Sequence, residues 1–146
     1  MKPIYTKLDQ QLAILEVVGG LIIIIFWVGW FLDLLKSIGP SNPLYGTYVA
    51  FETAFPLPDA WVVLMLFLSA YGFWTQKVFG IYTGIAAGGG LIFLGLIDTS
   101  FYIQHNVYQY DLLLIPINIA CIGGGILLIW RFGILINNIF KDPKMI

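Results

Sequence analysis

The sequence predicts an all-α integral membrane protein: a single transmembrane domain over residues 1–146, folded as a four-span up-down-up-down helical bundle. Three observations carry that expectation. The chain has 146 residues, 60% of them hydrophobic and only 10% charged, and so few charges cannot cover the surface of a soluble domain of this length. Its apolar residues come in long blocks, without the regular polar interruptions of a soluble amphipathic fold. Four of those blocks reach the roughly 20 apolar residues needed to cross about 30 Å of hydrocarbon.

The first block, about 12–35, follows the charged "MKPIYTKLDQQ" and runs into "FLDLLK" with no small-residue cleavage site. It reads as a retained span and not as a signal peptide. The second, about 58–76, is preceded by "FETAFPLPDAW" at 51–61, which places Glu52, Pro56, Pro58 and Asp59 where a span should begin. Proline is tolerated in a first helical turn, and an acid there complements the helix dipole, so Pro58 and Asp59 suit a helix start. Residues 45–57 are then a short interfacial or re-entrant helix. The alternative is one long second helix from about Tyr45, kinked at Pro56. The third and fourth blocks, about 78–103 and 112–137, complete the set, and short connections make neighbours antiparallel.

Basic residues near span ends set the orientation. Lys2 and Lys7 precede the first span, Lys77 sits in the second connection, and Arg131, Lys141 and Lys144 lie at or beyond the end of the fourth, against Lys36 on the opposite side. That asymmetry places both termini in the cytoplasm, with the protein integral to the cell membrane and residues 51–61 at its outer side.

Several function classes are disfavoured. A net charge of −1 offers no basic surface for nucleic acid. A single cysteine, Cys121, allows no internal disulfide, and a single histidine, His105, argues against a metal site. No nucleophile motif, CxxC or phosphate loop occurs, since "GGG" at 88–90 and 123–125 lies within spans. No cofactor is expected, and no catalytic residue is identified.

The acids are the candidate functional groups. Asp33, Glu52, Asp59, Asp98 and Asp111 all fall in the outer half of the four-span reading. An ionised Asp at a helix centre costs about 2.5–3.5 kcal/mol on insertion scales, so such residues face the bundle or a wet cavity. In the third block Gly84, Gly88, Leu91, Gly95, Asp98, Tyr102 and His105 recur at intervals of three or four and form one stripe. Gly84, Gly88 and Gly95 are read as packing positions that let helices approach closely, and the stripe carries Asp98 inward with them. Clustered carboxyls in low dielectric resist joint ionisation and can pair with an amine or bind a cation. Glu52 and Asp98 are therefore expected to meet the polar or cationic end of a ligand, with Asp33 in support and Trp30, Phe55 and Tyr102 lining the walls. Asp33 and Asp111 also read as solvated interfacial acids or caps, His105 as a loop residue, and the five tryptophans mostly as interface anchors.

"FLDLLKSIGPSNPLYG" followed by "FETAFPLPDAW" resembles the EXPERA family of sterol isomerases and sigma-two receptors over about the first half of the chain. The resemblance implies four helices around an apolar cavity, with buried carboxylates meeting the amine or carbocation of a sterol-like ligand. By position, Asp33 and Glu52 would be those acids, and Asp98 would stand for the third-span acid of the isomerases. Tyr48 occupies the place of the isomerases' histidine, and their final-span tryptophan has no counterpart at depth, so ligand binding is what the resemblance implies here. The leading expectation is an acid-lined cavity handling a small apolar or amphiphilic ligand in contact with membrane lipid. Two other classes stay open: a structural or assembly subunit docking through its glycine faces, with itself or a larger complex, and a proton- or cation-coupled carrier working as a homo-oligomer.

Overall fold

A computed structural model describes residues 5–141, apart from the side chain of Leu8. It is built from α1 (Lys7–Phe31), α2 (Tyr45–Glu52), α3 (Pro56–Trp74), α4 (Phe79–Gln104), a 3-10 turn at Val107–Gln109, and α5 (Leu114–Lys141). Four stretches are long and apolar enough to cross a membrane: Asp9–Phe31, Tyr45–Trp74, Phe79–Gln104 and Leu114–Lys141.

Helix α1 begins earlier than its hydrophobicity suggests because Thr6 and Asp9 form a capping box. Each satisfies a backbone N–H of the other, removing two of the donors a helix start leaves unpaired. At the other end Asp33 adopts a left-handed backbone, φ 60°. The Asp33 and Leu34 amides turn back to the Trp30 and Gly29 carbonyls at 3.1 and 2.9 Å, the paired bonds of a Schellman motif. Helix α3 stops in the same way at Gln76 (φ 56°), whose amide and that of Lys77 reach the Phe73 and Gly72 carbonyls. The stretch between Tyr45 and Trp74 is two helices: α2 closes at Glu52 and α3 restarts at Pro56 with proline in its first turn.

Helix α3 packs on α1 and on α4, and α4 packs on α5. The contacts run antiparallel, since Glu16 pairs with Ser69 while Trp27 pairs with Asp59. Glycines set how closely the backbones approach. A side chain at Gly72 would collide with the backbone of Gly80, and one at Gly88 would lie 2.8 Å from the Gly125 carbonyl oxygen. The space above Gly84 is filled by the ring of Phe132, which stacks on Phe73 at 5.4 Å between centroids. A second, smaller apolar cluster closes the α2 end, where Ile38, Tyr48, Tyr102, Val107 and Leu114 pack together.

Two placements differ from expectation. Arg131 lies well inside α5 and pairs with Asp9 of α1, so it is the half-buried partner of a buried acid and not a basic residue beyond a span end. Trp27 and Trp30 are buried against the core, whereas Trp61, Trp74 and Trp130 are exposed. Lys2 and Lys144, which enter the orientation argument, lie outside the described residues.

Candidate functional site

At the α2 end, the short helix α2 lays Glu52 beside the last turns of α4. Glu52 is buried, and the Tyr102 hydroxyl donates to its Oε1 at 2.6 Å. Tyr102 is wedged between Phe51 and Tyr108, at 6.2 and 5.5 Å, while Phe55 packs edge-on to Phe51 at 4.8 Å. Asp98, one turn before Tyr102 on α4, is half-buried and near enough to Glu52 and Asp59 for their charges to interact. Among the described residues no side-chain hydrogen bond or ion pair engages Asp98. Asp59 is held in place, its Oδ2 accepting the Trp27 indole N–H at 2.7 Å. The structure thus brings Glu52, Tyr102 and Asp98 together and adds Asp59, with Phe55 in the surrounding aromatic layer.

Asp33 is not brought to that cluster. It projects from the turn after α1, exposed, and pairs with Lys36. That carboxylate raises the Lys36 ammonium above the usual lysine value. Lys36 also sits 4.6 Å from the centre of the Trp30 ring, so Trp30 is buried beneath a cation and its link to the acids is indirect. Asp111 ties two connections together, accepting from the Ser37 hydroxyl at 2.8 Å and from the Leu113 amide at 2.9 Å. His105 caps α4, its ring 4.4 Å from that of Phe101. Asn118, buried on α5, donates to the Tyr108 hydroxyl at 3.0 Å.

A groove of about 330 Å³ opens between α3 and α4, lined by Leu57, Pro58, Trp61, Val62, Gly90, Phe93 and Leu94. Its lining is apolar and includes none of the acids. Gly90 is the floor: a side chain there would strike Val62 at 2.6 Å. Asp59 follows the lining residue Pro58 in the chain, and Asp98 lies four residues beyond Leu94, on the same helix face. Among the described residues no group of three His, Cys, Asp or Glu side chains is placed to hold a metal ion.

Two further acids lie toward the opposite end, and sequence reasoning missed both as sites. Asp9 is fully buried; its Oδ1 accepts from Arg131 at 2.6 Å and its Oδ2 from the Thr6 amide and hydroxyl at 2.7 Å. Glu16, 3% exposed, lies 2.7 Å from the Ser69 hydroxyl. The available signal was spacing: Asp9, Ala13, Glu16, Gly20, Trp27 and Trp30 share one face of α1.

Fold and site together define a helical protein with four apolar, membrane-length helices and carboxyls buried between them. Compared with protein-family models, curated proteins and solved structures, the chain matches none.

Proposed function

We propose that this protein binds a small membrane amphiphile, its apolar body in the α3–α4 groove and its cationic or polar head at Asp98, Glu52 and Asp59. The observation that supports this most is Asp98 itself, a half-buried carboxyl that, among the described residues, has no side-chain partner and follows the groove residue Leu94 by one helical turn. Tyr102 holds Glu52 and Trp27 holds Asp59, so Asp98 is the acid left to meet a ligand. An amine there would offset the cost of three neighbouring carboxyls in low dielectric. A sterol-like body with an amine head, the ligand class that the EXPERA resemblance implies, fits this division of labour. In this reading the chain is an up-down-up-down four-span protein with both termini cytoplasmic, and the acids lie in the outer leaflet half. A reporter inserted near Ser41 and another fused after Ile146 then read opposite sides; both on one side would contradict the orientation.

The test is a thermal-shift screen of the detergent-solubilised protein with amphiphilic amines. Wild type should be stabilised, and Asp98→Asn should fold yet lose about tenfold or more in apparent affinity, since one charge-assisted hydrogen bond contributes about 1.5–3 kcal/mol. Equal stabilisation of both proteins would remove Asp98 from the site. The assembly-subunit reading draws on other residues: Gly123, Gly124 and Gly133 of α5 have open space above them, whereas Gly84, Gly88 and Gly95 are covered within the chain.

A further inference from the structure

We propose that Glu16 is a proton-binding site within the membrane-spanning core, separate from the amphiphile site, and that its proton governs a hydrogen-bonded link between α1, α3 and α4. The evidence is hydrogen-bond accounting. The Ser69 hydroxyl, fully buried, lies 2.7 Å from Glu16 Oε1 and 3.0 Å from the Gly80 carbonyl oxygen. A hydroxyl has one proton to donate, and a carbonyl oxygen can only accept. When Ser69 donates to Gly80, the contact with Glu16 is completed by a proton on Glu16. The relay then runs from Glu16 on α1 through Ser69 on α3 to Gly80 on α4. When Glu16 loses that proton, Ser69 must turn its own to the carboxylate, and the link to α4 is released.

The surroundings favour the protonated form. Glu16 Oε2 is buried without a hydrogen-bond partner, and a buried carboxylate with one donor and no cation is strongly disfavoured. The groups facing this region come from every packed element. On the α1 side, Tyr5 donates to the Lys77 carbonyl at 2.8 Å and Asp9 lies two turns away on the same face as Glu16. From α3 comes Ser69, and from α4 Gly80 and Gly84. Helix α5 contributes Phe132 and Arg131, but the guanidinium is engaged by Asp9. Among the described residues no cation is paired with Glu16. Ser69 lies ten positions after Asp59 on α3, about 15 Å at helical rise, and Val62, Met65 and Leu66 in between are buried and apolar. Among the described residues no side-chain hydrogen bond joins the two sites.

Infrared difference spectroscopy on the full chain in lipid tests this directly. At neutral pH a protonated-carboxyl band should be present, vanish in Glu16→Gln and move to higher frequency in Ser69→Ala, which removes the partner of the acid proton. The amide of Glu16→Gln can donate to Ser69 as the acid does, so that variant should keep wild-type thermal stability. A spectrum in which Glu16→Gln removes no carboxyl band would overturn the proposal. So would a band that Ser69→Ala leaves in place, and this arm decides alone if Glu16→Gln fails to fold. Bleaching of the band by sodium chloride but not choline chloride would overturn it in favour of a metal cation.

Discussion

Asp9 shows how one side chain can organise a helix end and a tertiary contact at once. One carboxylate oxygen completes the capping box with Thr6, and the other takes two nitrogens of Arg131 from α5. Removing one partner of a buried pair leaves the other charged and unpaired, which costs more than the pair itself is worth. Asp9→Ala should therefore lose about 3 kcal/mol, and Asp9→Ala with Arg131→Met should lose clearly less than the two single changes summed. Unfolding of the four proteins in detergent, read as a double-mutant cycle, checks this; strict additivity would mean that the pair does not couple. These contacts were hidden in the sequence because their partners are distant along the chain, 122 residues for Asp9 and Arg131 and 53 for Glu16 and Ser69. Asp98 and Glu52 were legible for the opposite reason. An acid in a glycine-rich apolar helix, and another before two prolines, are conspicuous without any partner being known.

At the scale of elements, hydrophobic blocks located the helices and local chemistry decided their ends. The first block was expected to run to residue 35, but α1 stops at Phe31 because Asp33 takes a left-handed conformation. Glycine usually marks such a stop, and Asp33, Gln76 and Asn106 do the same work here without it. Both readings of the second segment hold a part of the answer: α2 is a separate short helix, and it ends three residues short of the proline that starts α3. The glycine stripe of α4 was legible because its period matches a helix face, and its partner on α5 is Gly125, where neither backbone can move away. Gly88→Leu should cost about 3 kcal/mol, the upper part of the range for overpacking, and more than Leu91→Ala on the same stripe, where the side chain is half-buried. Thermal unfolding in detergent ranks the two. An unchanged midpoint for Gly88→Leu would mean that this face looks at lipid.

Across the whole molecule, the polar groups gather toward two ends of an otherwise apolar stack of helices. Asp9, Arg131, Glu16 and Ser69 hold α1, α3, α4 and α5 together toward the end where α1 begins and α5 finishes. Glu52, Tyr102, Asp59 and Asp98 gather under α2 at the other. Burying acids without full complements of partners works against stability, and in a membrane-length helix such residues mark a functional site by default. The groove between α3 and α4 was not readable from sequence, since it depends on Gly90 facing Val62 across two helices. The most direct measurement is photolabelling with an amphiphilic amine that carries a photoreactive group on its apolar body, on wild type and Asp98→Asn in lipid. Labelling should concentrate on groove residues such as Trp61 and Phe93, be displaced by excess unlabelled amine, and fall strongly in Asp98→Asn. Labelling spread evenly over exposed apolar residues such as Ile22 of α1 and Ile126 of α5, and indifferent to Asp98→Asn, would contradict a ligand site in this groove.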